Sequence, residues 1–231
     1  MNFELSDEQR MIQQNVERFV EDNYDLNTRV ALSSKSPGFS TEYWQSMAEL
    51  GWLGLPFEEE DGGFGGNQID VLVVMEQFGR GLVLEPYLAS IVMGGGALKR
   101  GGSEALKREM LPGVIEGSLQ LAFAYAEMQS RFDLDDVMTS ARSEDENFIL
   151  NGQKSMVQNA ETADQIVVTA RTSGGQVGQQ GITLFLIAAD AEGLSRDNFP
   201  TVDGLRASEI TLENVSVGAE RILGKVNQGF N

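Results

Sequence analysis

The sequence predicts an α+β fold, with an all-α N-terminal domain followed by a middle domain built as a β-barrel or sandwich. Three observations predict it. Apolar residues recur at helical spacing through the first half; from Leu119 onward they fall in short β-branched and aromatic segments; and Gly, Asn and Asp turns separate those segments. Runs of helices followed by runs of strands make two units, residues 1–117 and residues 118–231, with the boundary near Gly117.

The elements justify themselves in order. Ser6 followed by Gln9, with acids between, is a capping box opening a helix that carries Ile12, Val16, Phe19 and Val20 on one face. Ser40-Thr41-Glu42 opens a second helix, with Trp44, Met47 and Ala48 inward, which stops at Gly51. FEEEDGGFGG, residues 57–66, reads as a loop. Ile69 to Phe78 is a third, strongly apolar helix. Glu85-Pro86 starts a fourth, running to Lys99-Arg100, and Ser103 caps a fifth that Pro112 and Gly113 end. Both apolar helices read as core. Beyond them, strands are expected at residues 119–125, 137–142, 148–150, 154–157, 166–171, 182–187 and 208–212, with a hairpin turn at Asn151-Gly152 and an exposed tip at residues 173–181.

Composition excludes several function classes. The formal net charge is −18, which argues against a nucleic-acid partner, because phosphate binding needs a basic face. There is no apolar run long enough to span a bilayer, and the polar N-terminus is not a signal peptide. Zero Cys fits a reducing compartment, so a cytoplasmic location is expected. With neither His nor Cys, a Ser-His triad, a thiolate nucleophile and the usual zinc sites are ruled out. Either carboxylates act, or a cofactor supplies the chemistry.

The informative stretch is LAFAYAEMQSRFDLDD, residues 121–136. An apolar strand turns abruptly into a loop of Glu, Gln, Ser, Arg and Asp. By residue type alone, Glu127 and Asp133 are solvated turn acids, and Arg131 forms a surface ion pair with Asp133 or Asp135.

Four further stretches, FELSDEQRMIQQNVERFV, ELGWLGLPFEEEDGGFGG, FILNGQKSMVQNAETADQIVVTART and GLRASEITLENVSVGAERILGKVNQGF, carry a resemblance in order along the chain. Together they resemble the N-terminal and middle domains of acyl-CoA dehydrogenases. The resemblance covers the whole chain. It implies FAD as cofactor and an acyl-CoA as substrate, dehydrogenated between Cα and Cβ. It also implies that the strand-end loop borders the flavin ring and the thioester. There Ala126 stands where the family has Thr, Glu127 for its Glu, Met128 for its Pro, Phe132 for its Ser and Asp133 for its Asp. Phe123, Tyr125, Ala126, Glu127, Met156, Val157 and Gln158 are the implied cofactor residues, several through backbone N–H groups, and Arg131 and Phe132 the implied substrate residues. Three positions depart from the pattern: Ala126 has no hydroxyl, Met156 replaces a Trp, and Gln158 replaces a Thr or Ser.

The segments FGRGLVLEPYLAS and GLRASEITL look closest to pimeloyl-CoA dehydrogenase small subunits and related heteromeric enzymes. That implies a dicarboxylyl or bulky thioester, a homo- or hetero-oligomer with a paralogue, and an electron-transfer flavoprotein as acceptor. The family's catalytic base lies in a C-terminal helical domain absent from this chain, so no catalytic residue is named. The chain alone is expected to be inactive and to hold FAD weakly. Two other readings stay open: a non-catalytic partner subunit, and an acyl-CoA oxidase that passes electrons to oxygen.

Overall fold

A computed structural model describes residues 4–230; Met1–Phe3, where the first quoted motif begins, and Asn231 lie outside them. Among the described residues, six α-helices precede eight strands: α1 (Asp7–Asn23), α2 (Leu26–Ser33), α3 (Thr41–Glu49), α4 (Gln68–Gly81), α5 (Gly96–Gly101) and α6 (Glu104–Ile115). A π-helical stretch, Tyr87–Gly95, leads directly into α5. The strands are β1 (Leu121–Ala124), β2 (Ser140–Glu144), β3 (Asn147–Gln158), β4 (Gln165–Arg171), β5 (Ile182–Ala188), β6 (Leu194–Pro200), β7 (Arg206–Gly218) and β8 (Ile222–Leu223).

The predicted capping box closes α1, with the Ser6 hydroxyl accepting from the Gln9 N–H and the Gln9 side chain accepting from the Ser6 N–H. Helix α2 is a correction. It has no buried residue, so it shows no apolar stripe; the Asp25 side chain caps it by accepting from the Thr28 N–H at 2.7 Å. Pro112 does not end α6, which runs on to Ile115. A proline inside a helix removes one hydrogen bond and crowds the preceding turn, at a cost of about 3 kcal/mol. The flanking Leu111 and Val114 are fully buried and offset it. Gly117, in the left-handed region, then turns the chain, and its carbonyl accepts from the Trp44 indole at 2.9 Å.

The strands form one mixed sheet in the order β6-β7-β3-β2-β4-β5-β8, with β1 joined in parallel to β4. The Asn151-Gly152 hairpin is not formed. β3 runs straight through it, and the tight turn between β2 and β3 falls at Asp145-Glu146, where Asp145 has a positive φ. Gly152 sits instead at a bulge against β7, so close over Thr139 that a Cβ would lie 2.5 Å from its hydroxyl. A second register shift, between Lys154 and Val157, makes another irregularity on the same strand. The mostly exposed β6 and the two-residue β8 were not expected; β6, Leu-Ser-Arg-Asp-Asn-Phe-Pro, shows no apolar alternation.

Two clusters make the core. One packs Trp44, Met47, Leu53, Phe57, Tyr87 and Ile91 of the helical region against Leu121, Val167 and Leu186 of the sheet. The other holds Leu150, Ile166, Val168, Phe185 and Ile210 between strands. β4 thus feeds both clusters by alternation, Val167 to one and Ile166 and Val168 to the other. The π-helical stretch lies directly on β1: the Ser90 hydroxyl accepts from the Leu121 N–H at 2.9 Å, and a Cβ on Gly94 would meet Leu121 Cβ at 2.6 Å. This close approach fixes where β1, and the loop it feeds, must lie.

Candidate functional site

β1 ends at Ala124, and the loop after it is anchored from beneath. Glu127 is buried, not a solvated turn acid. Its Oε1 pairs with the Lys154 ammonium of β3 at 2.6 Å, the two side chains being 2% and 0% exposed. The same Oε1 accepts from the Thr139 N–H at 3.0 Å; Oε2 accepts from the Met138 N–H at 2.7 Å and from the Gln129 amide at 2.8 Å. Lys154 also donates to the Thr169 hydroxyl of β4 at 2.8 Å. Four further polar contacts therefore hold one carboxylate–ammonium pair, as a buried pair requires. Burial pushes the Lys154 ammonium down to about 8, against the opposing pull of Glu127. Burial pushes the Glu127 carboxyl up, but the Lys154 charge and the donors outweigh it and leave it below its ordinary range.

Above this anchor the loop turns its apolar side chains outward. Tyr125, Met128, Leu134 and Met138 are exposed, and Phe132 is 96% exposed. Ala126 O accepts from the Ser155 N–H at 2.9 Å, which brings the predicted stretches 125–127 and 156–158 side by side. Met156 sits on the irregularity of β3 with φ +55°, its side chain 54% exposed. The Glu209 carboxylate of β7 braces it, accepting from the Met156 N–H at 3.2 Å and from the Ser155 hydroxyl at 2.9 Å.

Each predicted residue then has a place. Phe123 is half-buried and packs edge-on to Tyr125, their ring centroids 5.8 Å apart. Val157 points into the core, so only its backbone could meet a ligand. The Met156 N–H is already bonded to Glu209 and is not a free donor. Gln158 lies beside a cavity. Arg131, at positive φ, and Phe132 stand on the outer turn, and Arg131 makes no ion pair with Asp133 or Asp135 among the described residues.

The cavity, about 280 Å³, lies between α4, the stretch 82–89 and residues 158–162 and 203–206. Met75, Phe78 and Tyr87 line it, so the two apolar helices expected as core also border open space. Lys154 was legible as part of a motif, but its pairing with Glu127 was not; Thr169 and Glu209 carried no local signal at all.

A helical layer docked on a mixed sheet, with a strand-end loop pinned beside a kinked neighbouring strand, is an architecture shared with a class of flavoprotein dehydrogenases. The chain belongs to the acyl-CoA dehydrogenase family: the description "Acyl-CoA dehydrogenase, N-terminal domain" matches residues 6–118, and "Acyl-CoA dehydrogenase, middle domain" matches residues 122–215. A probable acyl-CoA dehydrogenase, YngJ of Bacillus subtilis, is 31% identical over 100% of this chain and 61% of its own length. The glutaryl-coenzyme A dehydrogenase structure in complex with glutaryl-CoA superposes with a TM-score of 0.89 at 27% identity, over 100% of this chain and 60% of that one. The FAD complex of PigA superposes with a TM-score of 0.88 at 27% identity, over 100% and 61%. The chain thus spans about three-fifths of the length of these relatives.

Proposed function

We infer that this chain provides the FAD-facing and acyl-facing walls of an acyl-CoA dehydrogenase that acts on a thioester at its Cα–Cβ bond. The carrying observation is the shelf formed by Tyr125, Ala126 and Met156 over the Glu127–Lys154 anchor. The shelf fits a flat aromatic ring. Its small residue, Ala126, adjoins an exposed thioether at Met156, and sulfur packs favourably on aromatic faces. The loop sits on a rigid base, as ligand-contacting loops require.

Tyr125, Ala126, Met156 and Gln158 would hold the flavin, which accepts the hydride when bound. Glu127 acts as a positioning residue: it makes none of its contacts outward and sets the loop's shape through Met138, Thr139 and Lys154. Glu209 sets the left-handed turn at Met156. The cavity beside Gln158 takes the acyl chain. No residue of this chain is named as the base for the α-proton. Residues 1–117 form the helical domain and residues 118–231 the β-domain of this reading. An electron-transfer flavoprotein and a paralogous subunit are the partners it implies, and the cytoplasm its location.

A pimeloyl-CoA or other dicarboxylyl substrate rests on Arg131 alone, a cation on the outer loop with no ion pair among the described residues. A second reading, a non-catalytic partner subunit, is favoured by one observation: the Met156 N–H is committed to Glu209 and is unavailable to a cofactor. One experiment separates these. The protein produced from its whole gene, with any paralogous partner, is titrated with acyl-CoA without oxygen while the flavin band is followed. Bleaching supports the dehydrogenase reading. A flavin band that no acyl-CoA bleaches favours the partner role, and a well-folded complex without flavin overturns the assignment. Peroxide released during aerobic turnover would mark an oxidase.

A further inference from the structure

We propose that the cavity beside Gln158 is a selective receptor for an apolar chain with a neutral, hydrogen-bond-donating end, and that Glu85 is the specificity-determining residue that excludes a terminal carboxylate. The inference rests on the acyl-CoA reading for its biological ligand, but not for its test.

The cavity walls are largely apolar: Met75 and Phe78 from α4, then Leu82, Leu84 and Leu88. Its volume of about 280 Å³ sits at the lower edge of the range of small-molecule sites, ~300–1,000 Å³, which suits part of a ligand such as a short chain. Into this lining comes one buried acid, Glu85. Its two oxygens each have one donor: the Tyr24 hydroxyl donates to Oε2, and the Ser40 N–H donates to Oε1 at 3.1 Å. No lysine or arginine pairs with it among the described residues. A carboxylate can accept about four hydrogen bonds, so acceptor capacity remains while no cation balances the charge.

The two cations on the wall have acids of their own: Arg206 is ion-paired with Glu161, and Arg29, which donates to the carbonyls of Leu82 at 2.9 Å and Asp203 at 2.5 Å, carries its charge beside the Asp203 carboxylate. Asp203 adds a further acid to the wall. A hydroxyl reaching Glu85 gains an acceptor. At a pH above the value to which burial raises the Glu85 carboxyl, a second carboxylate there meets a like charge in a poorly solvated place, where such repulsion is strongest.

The test needs no coenzyme A. 1,8-Octanediol and suberate have the same chain length, and each presents the same group at both ends, so direction of entry is irrelevant. Binding to the purified protein is read by thermal shift and calorimetry. The diol should stabilise the wild type, and suberate should bind at least about tenfold more weakly, a step of about 1.4 kcal/mol. Glu85→Gln should bring the two within about threefold of each other. Gly79→Leu is the control for place: Gly79 lines the cavity, and a Cβ there meets nothing within 4 Å. This variant should keep its melting temperature, since Leu favours helix over Gly, and lose the diol.

Suberate binding as tightly as the diol in the wild type would overturn the proposal. So would a diol that still binds Gly79→Leu, or one that binds nothing. Flavin bleaching by acyl-CoA with no diol binding would sink the cavity proposal alone. Diol selectivity without any flavin would sink the dehydrogenase reading alone.

Discussion

Replacing Lys154 by Met tests whether the buried pair, and not the surrounding sheet, holds the strand-end loop. The substitution keeps the length of the stem and removes the charge. Removing one partner of a buried ion pair costs about 3–5 kcal/mol, because the other charge is left uncompensated. Glu127 would keep three donors, the N–H groups of Met138 and Thr139 and the Gln129 amide. That places the loss near the lower end, about 3 kcal/mol. Urea unfolding should show the midpoint falling with an unchanged slope. The amides of Met138 and Thr139 should exchange faster than those of β5. The pH dependence carries a second signature. Folding holds the Glu127 carboxyl below its ordinary 4.5, so the pair's contribution is complete above about pH 4.5 and is lost as pH falls through the folded value. Lys154 has a slope of the same sign in a higher pH window. Its folded value of about 8 lies under the ordinary 10.5, so the unfolded chain holds the extra proton between them and this group makes stability rise with pH across that window. Lys154→Met should erase that rise and move the acid limb upward, since burial of Glu127 would then be opposed only by its three remaining donors. A loss under about 1 kcal/mol, with unchanged exchange at Met138 and Thr139, would refute the reasoning.

Three further outcomes are expected. Tyr24→Phe removes the hydroxyl donor to Glu85 and should cost about 1.5–3 kcal/mol. Burial already raises the Glu85 carboxyl, so its contribution is full below the unfolded value and lost as pH rises through the folded one; thermal melts should show a larger loss at pH 8 than at pH 5. Gly152→Ala should destabilise by about 1–3 kcal/mol in chemical unfolding, because its Cβ would strike Thr139 at a left-handed position. Met156→Gly should separate fold from function. It relieves a left-handed non-Gly residue, worth roughly 1–2 kcal/mol, so unfolding should show equal or greater stability while FAD binding to the assembled protein weakens several-fold.

Local signals were read well where the chain solves its problem locally. The Ser6 box, the inward Trp44 and Met47, and the β-branched run at residues 166–169 all state their roles within a few residues. The misreadings share one cause, which is that a residue had two structural uses and the neighbours deciding between them were distant. Asn151-Gly152 suits a tight turn, but Gly152 is needed for the approach to Thr139, which sequence proximity does not show. Pro112 reads as a stop, yet the burial of Leu111 and Val114 carries the helix past it. At the candidate site the same holds. Glu127 in a run of polar residues looks solvated, and only strand pairing reveals that Lys154, 27 positions on, lies beneath it. Glu209, 53 positions from Met156, could not have been found from the chain alone.

The three departures from the family's pattern become physically coherent once the anchor is separated from the surface. Glu127, Lys154 and Thr169 lie below the loop and are satisfied by one another, so they specify shape and need no ligand. Ala126, Met156 and Gln158 lie away from that anchor, at the surface proposed above for the flavin. A change below would leave a buried charge unpaired and cost several kcal/mol. A change above costs the fold little and alters only what the shelf can hold. Losing a hydroxyl at Ala126 and an indole at Met156, while Glu209 takes the Met156 N–H, removes polar contacts and leaves packing. The shelf is therefore suited to holding a ring by apolar contact more than by hydrogen bonds. A bound flavin should then depend more on the size of residue 156 than on its polarity, and Met156→Leu should keep FAD where Met156→Asp loses it. Retention of FAD by the Asp variant would show that the ring is held elsewhere.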